Sequence, residues 1–219
     1  MHYLMLIATC SILADPVCAG TSPAYRMQRA ILVERDLSTI ERLLADGFNP
    51  TDPIGCGTFD SLDGAVSVAS VEIVELFLKH GARPKPSTFV NAAFIASHNI
   101  ATEIITAFLK AGSDVNFKDC YSTTAIHNAV YRENTELVFL LLNEKGISLD
   151  DLNIDGNTAL MTAVARNNKP LVQMLLKAGA DPLVRNESEA SASTVSQNII
   201  KNQQELLRLL SVGTKKPHS

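Results

Sequence analysis

Tryptophan is absent, and aromatic residues make up only 5% of the 219-residue chain. A core with so few rings must be built from Leu, Ile, Val and Ala, which suits closely packed helices. Runs of basic residues are missing as well. The one basic cluster, Lys215-Lys216, stands at the extreme C-terminus, and the formal net charge is -4. Nucleic acid is therefore not the expected partner, because such binding needs several phosphate contacts. Beyond the N-terminus no segment reaches the roughly 18 uninterrupted apolar residues of a membrane span. The chain has four cysteines (Cys10, Cys18, Cys56 and Cys120), which do not form a disulfide framework. Catalytic signatures are also missing: there is no Gly-x-Ser-x-Gly elbow, no phosphate-binding Gly-x-x-x-x-Gly-Lys run and no His-Glu-x-x-His. A non-enzymatic chain with no cofactor and no metal is the expectation. Asp150, Asp151 and Asp155 gather in one loop. Weak Ca²⁺ binding is conceivable there, and a solvated loop is the simpler reading.

The N-terminus differs from the rest. Tyr3 to Ala14 are nearly all apolar or small, a break follows at Asp15-Pro16, and Val17 and Ala19 fit the small-residue positions before a cleavage. Residues 1-19 read as a candidate signal peptide, too short to span a membrane well. Only His2 precedes the apolar run, so the positive start of such a signal is missing. The alternative is an apolar segment that caps the first helices. A lipid anchor on Cys10 or Cys18 lacks a suitable lead-in. Export would place the chain in the periplasm or outside the cell; without cleavage it would stay in the cytoplasm. Cleavage would leave Cys56 and Cys120. They lie two repeat units apart, packed helix axes are about 8–10 Å apart, and bridged α-carbons must lie within about 7 Å. Free thiols are expected, and a redox role stays open.

What is present is a recurring helix ending. Leu43-Leu44-Ala45-Asp46-Gly47, Phe77-Leu78-Lys79-His80-Gly81, Phe108-Leu109-Lys110-Ala111-Gly112 and Leu175-Leu176-Lys177-Ala178-Gly179 share it, and Leu141 to Gly146 carries it with one extra residue. The glycines Gly47, Gly81, Gly112, Gly146 and Gly179 are separated by 34, 31, 34 and 33 positions. A period near 33 with a helix-stop glycine in each unit marks a repeat array. Thr124-Ala125-Ile126-His127 and Thr158-Ala159-Leu160-Met161 open short helices before two of these endings, and Asp155-Gly156-Asn157 is a turn signal. Ala65, Ala96, Ala129 and Ala163 are the matching small residues of the first helices. Each second helix carries an apolar stripe, such as Leu171, Val172, Leu175 and Leu176. One unit cannot bury that stripe alone, so neighbours must stack.

These segments resemble the ankyrin repeat: a Thr-Pro-Leu-His opening, a second helix ending in Leu-Leu-x-x-Gly-Ala, and an Asp-Val-Asn connector, matched here by Asp114-Val115-Asn116. Ala125 and Ala159 replace the family's Pro, and Met161 replaces its His. The resemblance implies an all-α solenoid of stacked helix-turn-helix units with hairpin-like loops. Six units divide residues 20-213: 24-54, 55-86, 87-119, 120-153, 154-186 and 187-213, followed by a tail at 214-219. The pattern is sharpest in units four and five.

The resemblance also implies a protein partner, held on the concave surface of loops and first helices, and a monomer is expected. His127, Thr124 and Thr158 take structural roles by the same likeness, with the five stop glycines. His80 and His98 stand at helix ends. The candidate contacts are Phe117, Lys118, Tyr121, Tyr131 and Arg132 in units three and four, and Asn153, Asp155, Arg166 and Asn167 in unit five. Interfaces favour Tyr, Phe and Arg. An exported protein-interaction module is the leading expectation. A host-directed effector, and a scaffold or inhibitor of an envelope enzyme, are the alternatives.

Overall fold

The computed structural model describes residues 22–54, 59–95, 97–186 and 191–193. The candidate signal peptide, Cys56, Ala96, most of unit six and the tail lie outside the described residues. Within them the chain is helical: α1 (Pro23–Arg29), continued by a π-helical turn (Ala30–Glu34), then α2 (Leu37–Ala45), α3 (Ser61–Ser67), α4 (Val71–Lys79), α5 (Pro86–Ala92), α6 (His98–Lys110), α7 (Ala125–Tyr131), α8 (Thr135–Leu142), α9 (Ala159–Ala165) and α10 (Lys169–Lys177). The first helices α3, α5, α7 and α9 pack in sequence, as do the second helices α4, α6, α8 and α10. This is the solenoid that the period implies.

Local chemistry starts and stops each helix. Four second helices open on a side-chain cap: Asp36 for α2, Ser70 for α4, Asn134 for α8 and Asn168 for α10, while α6 has none. Each cap satisfies an amide that the helix itself leaves without a partner. The hydroxyls of Thr39 and Ser38 donate to the Asp36 carboxylate and hold its pKa at about 2. The five stop glycines have φ between 77° and 102°. Gly179 shows why: its φ is +102°, yet a Cβ there would meet nothing within 4 Å. Backbone conformation, not crowding, selects glycine at that stop.

The second-helix stripes form the core. Ile73, Phe77, Ile104, Ile105, Phe108, Leu141, Leu171 and Leu175 are buried, with the first-helix residues Ala65, Ile126, Ala129, Leu160 and Ala163. From the second unit on, the last Leu of each ending (Leu78, Leu109, Leu142 and Leu176) is half-buried on the rim of this core.

Unit three departs from the period. The sequence pattern puts its first-helix landmark at Ala96, 15 positions after Gly81. In the structure α5 has already ended at Ala92, and α6 begins at His98, about one turn earlier than its siblings. Pro86 at the first helical position sets the early start of α5. Ala92 and Ala93 supply the small buried residues instead. α5 thus starts at the last residue of the unit written as 55-86.

Candidate protein-binding surface

The connector before α7 is built by one carboxylate. Asp119 Oδ1 accepts from the amides of Tyr121 and Thr123, both at 2.9 Å. In the next unit Asn153 Oδ1 does the same for Asp155 (3.1 Å) and Asn157 (2.9 Å). The two tips are joined, since the Ile154 amide donates to the Tyr121 carbonyl at 2.8 Å. Asn116 ties the bases of the same connectors: its Nδ2 donates to the Gly146 carbonyl at 2.8 Å, and its Oδ1 accepts from the Ser148 amide at 2.8 Å. Asp150 repeats that role one unit on, accepting from the Asp181 amide at 2.8 Å.

His127 locks the lattice from beneath. The Thr124 amide lies 3.3 Å from Nδ1 and must donate to it, so the proton sits on Nε2. Nε2 then donates to the carbonyls of Asp151 and Asn157, both at 3.1 Å. Burial lowers the His127 pKa, against a smaller upward pull from those carbonyls and from Asp151. A neutral ring is the form that this arrangement needs. In unit five, Met161 occupies the matching position and is buried. Thr158 caps α9, its Oγ1 accepting from the Met161 amide at 3.1 Å.

The nine candidate contacts do not form one patch. Lys118, Tyr121 and Asp155 are exposed at the connector tips, and Lys118 Nζ reaches Asp151 Oδ1 at 2.7 Å. Phe117 is half-buried and meets Phe89 edge-on at 5.8 Å. Asn153 is half-buried and spends its side chain on the turn. Tyr131, Arg132, Arg166 and Asn167 sit at the far ends of α7 and α9, in the turns to the second helices. A seven-residue helix separates the two groups by about 10 Å. Sequence reasoning missed Ile154 (66% exposed, beside Tyr121) and Phe94 (46% exposed, beside Tyr131).

Three further features bear on site chemistry. A shallow depression of about 490 Å³ lies on the second-helix side, lined by Glu75, Thr102, Glu103, Thr106 and Glu136 among others. Cys120 is a free, exposed thiol at a connector tip. No cluster of three metal-ligating side chains, and no helix long and apolar enough to cross a membrane, occurs among the described residues.

Comparison with known proteins places this geometry. Residues 91–186 match the family described as Ankyrin repeats (3 copies). The mouse nuclear factor NF-kappa-B p105 subunit is 37% identical over 98 residues, 44% of this chain and 10% of that protein. A putative ankyrin repeat-containing protein of Treponema pallidum is 33% identical over 109 residues, 49% of this chain and 36% of that protein. The chain thus spans a small part of these longer relatives. Among solved structures, an ankyrin repeat domain from Acinetobacter baumannii superposes with a TM-score of 0.74 at 22% identity, covering 88% of this chain and 99% of that one.

Proposed function

The chain has the ankyrin-repeat fold, and from that premise we propose that it is a non-enzymatic module that binds another protein through its connector tips and first helices, in the periplasm or outside the cell. The observation that carries this reading is the hydrogen-bonded row of tips in units four and five. Asp119, Asn153, Asn116 and His127 hold Tyr121, Ile154 and Asp155 in place before any partner arrives. A pre-ordered surface loses little side-chain and loop entropy on association, which favours binding at a given area. Tyr121 and Ile154 supply exposed apolar area, and Lys118 and Asp155 supply the polar rim.

The test replaces Tyr121 and Ile154 together by serine and measures both thermal melting and capture of partners from the native compartment. Loss of one specific partner with an unchanged melt supports the reading. Full capture by the double variant rejects the tips as the contact. Export rests on the sequence of residues 1-19. N-terminal sequencing of protein from fractionated cells tests it, and cytosolic material that retains Met1 would reject it.

A further inference from the structure

We propose that the helix-turn edge of units three to five is a second docking ledge, which takes an acidic segment of a partner protein. It does not rest on the reading of the connector tips, which lie at the other end of α7.

The ledge is a ladder of rings and guanidinium groups. Phe94, in the turn after α5, stacks on Tyr131, the last residue of α7, with ring centroids 5.9 Å apart and planes 24° from parallel. Arg132 Cζ lies 5.2 Å from the Phe94 centroid, and Arg166 Cζ lies 4.8 Å from that of Tyr131. The rings are nevertheless 46% and 49% exposed. Their faces are engaged by one another and by the guanidinium groups. What they offer a visitor is largely the ring edge, the electropositive part of an aromatic quadrupole.

Charge agrees with the rings. Arg132, Arg166 and exposed Lys169 surround this edge in a chain whose net charge is -4. Glu133 is the acid within the ladder and is already committed: it pairs with Arg166 at 3.0 Å and accepts from Asn168 Nδ2 at 3.2 Å. Glu136 lines the depression between the second helices. Arg132 has no carboxylate within ion-pair distance among the described residues. A guanidinium presents five donors and no acceptor, so the group that would complement it is an anionic oxygen. Carboxylates on a peptide fit both the charge and the ring edges. Single-stranded nucleic acid fits less well, because bases need open ring faces.

The test uses the full chain labelled with ¹⁵N. It is titrated with a short peptide of glutamates broken by single leucines, with the lysine counterpart of that peptide, and with oligothymidylate. Shifts centred on Phe94, Tyr131, Arg132 and Arg166, seen with the glutamate peptide and weakened by salt, are the expected result. Arg132→Gln should weaken that binding about fivefold with little change in melting. Tyr131→Leu serves where the Arg132 variant folds poorly. No binding, equal binding of the lysine peptide, preference for oligothymidylate, shifts confined to Lys118 and Tyr121, or undiminished binding by the variants would each overturn the proposal.

Discussion

Units four and five are joined to their predecessors by long connectors, and unit three by a short one. Ala125 follows Gly112 by 13 positions and Ala159 follows Gly146 by 13, whereas Pro86 follows Gly81 by five. The long connectors carry a polar lattice: Asp119 and Asn153 build the tips, and Asn116, Asp150 and His127 pair with backbone groups of the next unit. The short connector has no room for such a lattice. Lys85, at the start of α5, bridges back to Asp60 at 2.9 Å and Asp63 at 3.2 Å, and Thr88 donates to Asp63. Inside unit three, Phe89 packs against Phe108 at 6.1 Å and Phe117 at 5.8 Å. The same stacking is thus reached in two ways, by side chains bonded to backbone across long connectors and by side-chain bridges across a short one, the latter backed by a ring cluster within the unit. In a solenoid, where each unit leans on its neighbours, either kind of seam is enough to pass stability along.

The contrast yields graded expectations, all measured by urea unfolding of the full chain. Phe89→Ala removes the ring at the centre of the cluster inside unit three. It should cost about 3–5 kcal/mol, because the cavity has rings on two sides and cannot collapse cheaply. A loss under about 1 kcal/mol would mean that unit three is held by something else. His127→Ala attacks the polar seam. Two half-buried carbonyls lose their donor and the buried Thr124 amide loses its acceptor, so about 1–3 kcal/mol should be lost.

His127 also sets a pH signature. Its folded pKa lies below the ordinary value of 6.5, so the unfolded chain binds more protons below that pH. The contribution of the neutral ring is complete above about 6.5 and is lost as pH falls through the folded value. The wild type should lose stability on acidification through this window more steeply than His127→Gln; parallel curves would remove His127 as the cause. Gly179→Ala should cost about 1–2 kcal/mol from its backbone angle alone, and a neutral result would mean that the stop relaxes. Lys85→Met should cost least, under about 1 kcal/mol, because its ammonium is largely solvated and surface pairs contribute little. The two carboxylates hold the Lys85 pKa up against the opposing, and individually largest, effect of burial. If Lys85→Met matched His127→Ala, the side-chain bridge of the short connector would carry as much as the backbone lattice of the long ones.

Much of the fold could be read from residue types. Stop glycines preceded by Leu-Leu or Phe-Leu marked every second helix from α2 to α10, because one physical event, a helix ending in a left-handed residue, recurs at each. Unit three could not be placed by the same logic. Its connector is short and α6 is long, so the two differences largely offset each other and the glycine spacing shrinks only to 31. Pro84-Lys85-Pro86 held the clue, since proline at a first helical position marks a start. The π-helical turn at Ala30–Glu34, with Arg35 at φ 51°, left no pattern to read.

The candidate surface was less legible. Tyr121 and Tyr131 are ten positions apart in sequence, but α7 carries them to opposite edges. Asn153 resembled a contact because it stands in an exposed loop, while its side chain is the scaffold of that loop. Phe94 escaped notice because α5 ends at Ala92, before the Ala96 landmark, which leaves Phe94 in the turn after it.

A row of identical tips has no origin. A partner lying along it can slip by one unit and exchange each contact for a similar one. The five-position connector between Gly81 and Pro86 breaks that equivalence. If the tips bind as proposed, a slip across the gap would forfeit the contacts of one whole tip, and the binding register would be counted from the interruption. Repetition would supply the length of such an edge, and the irregular unit its address.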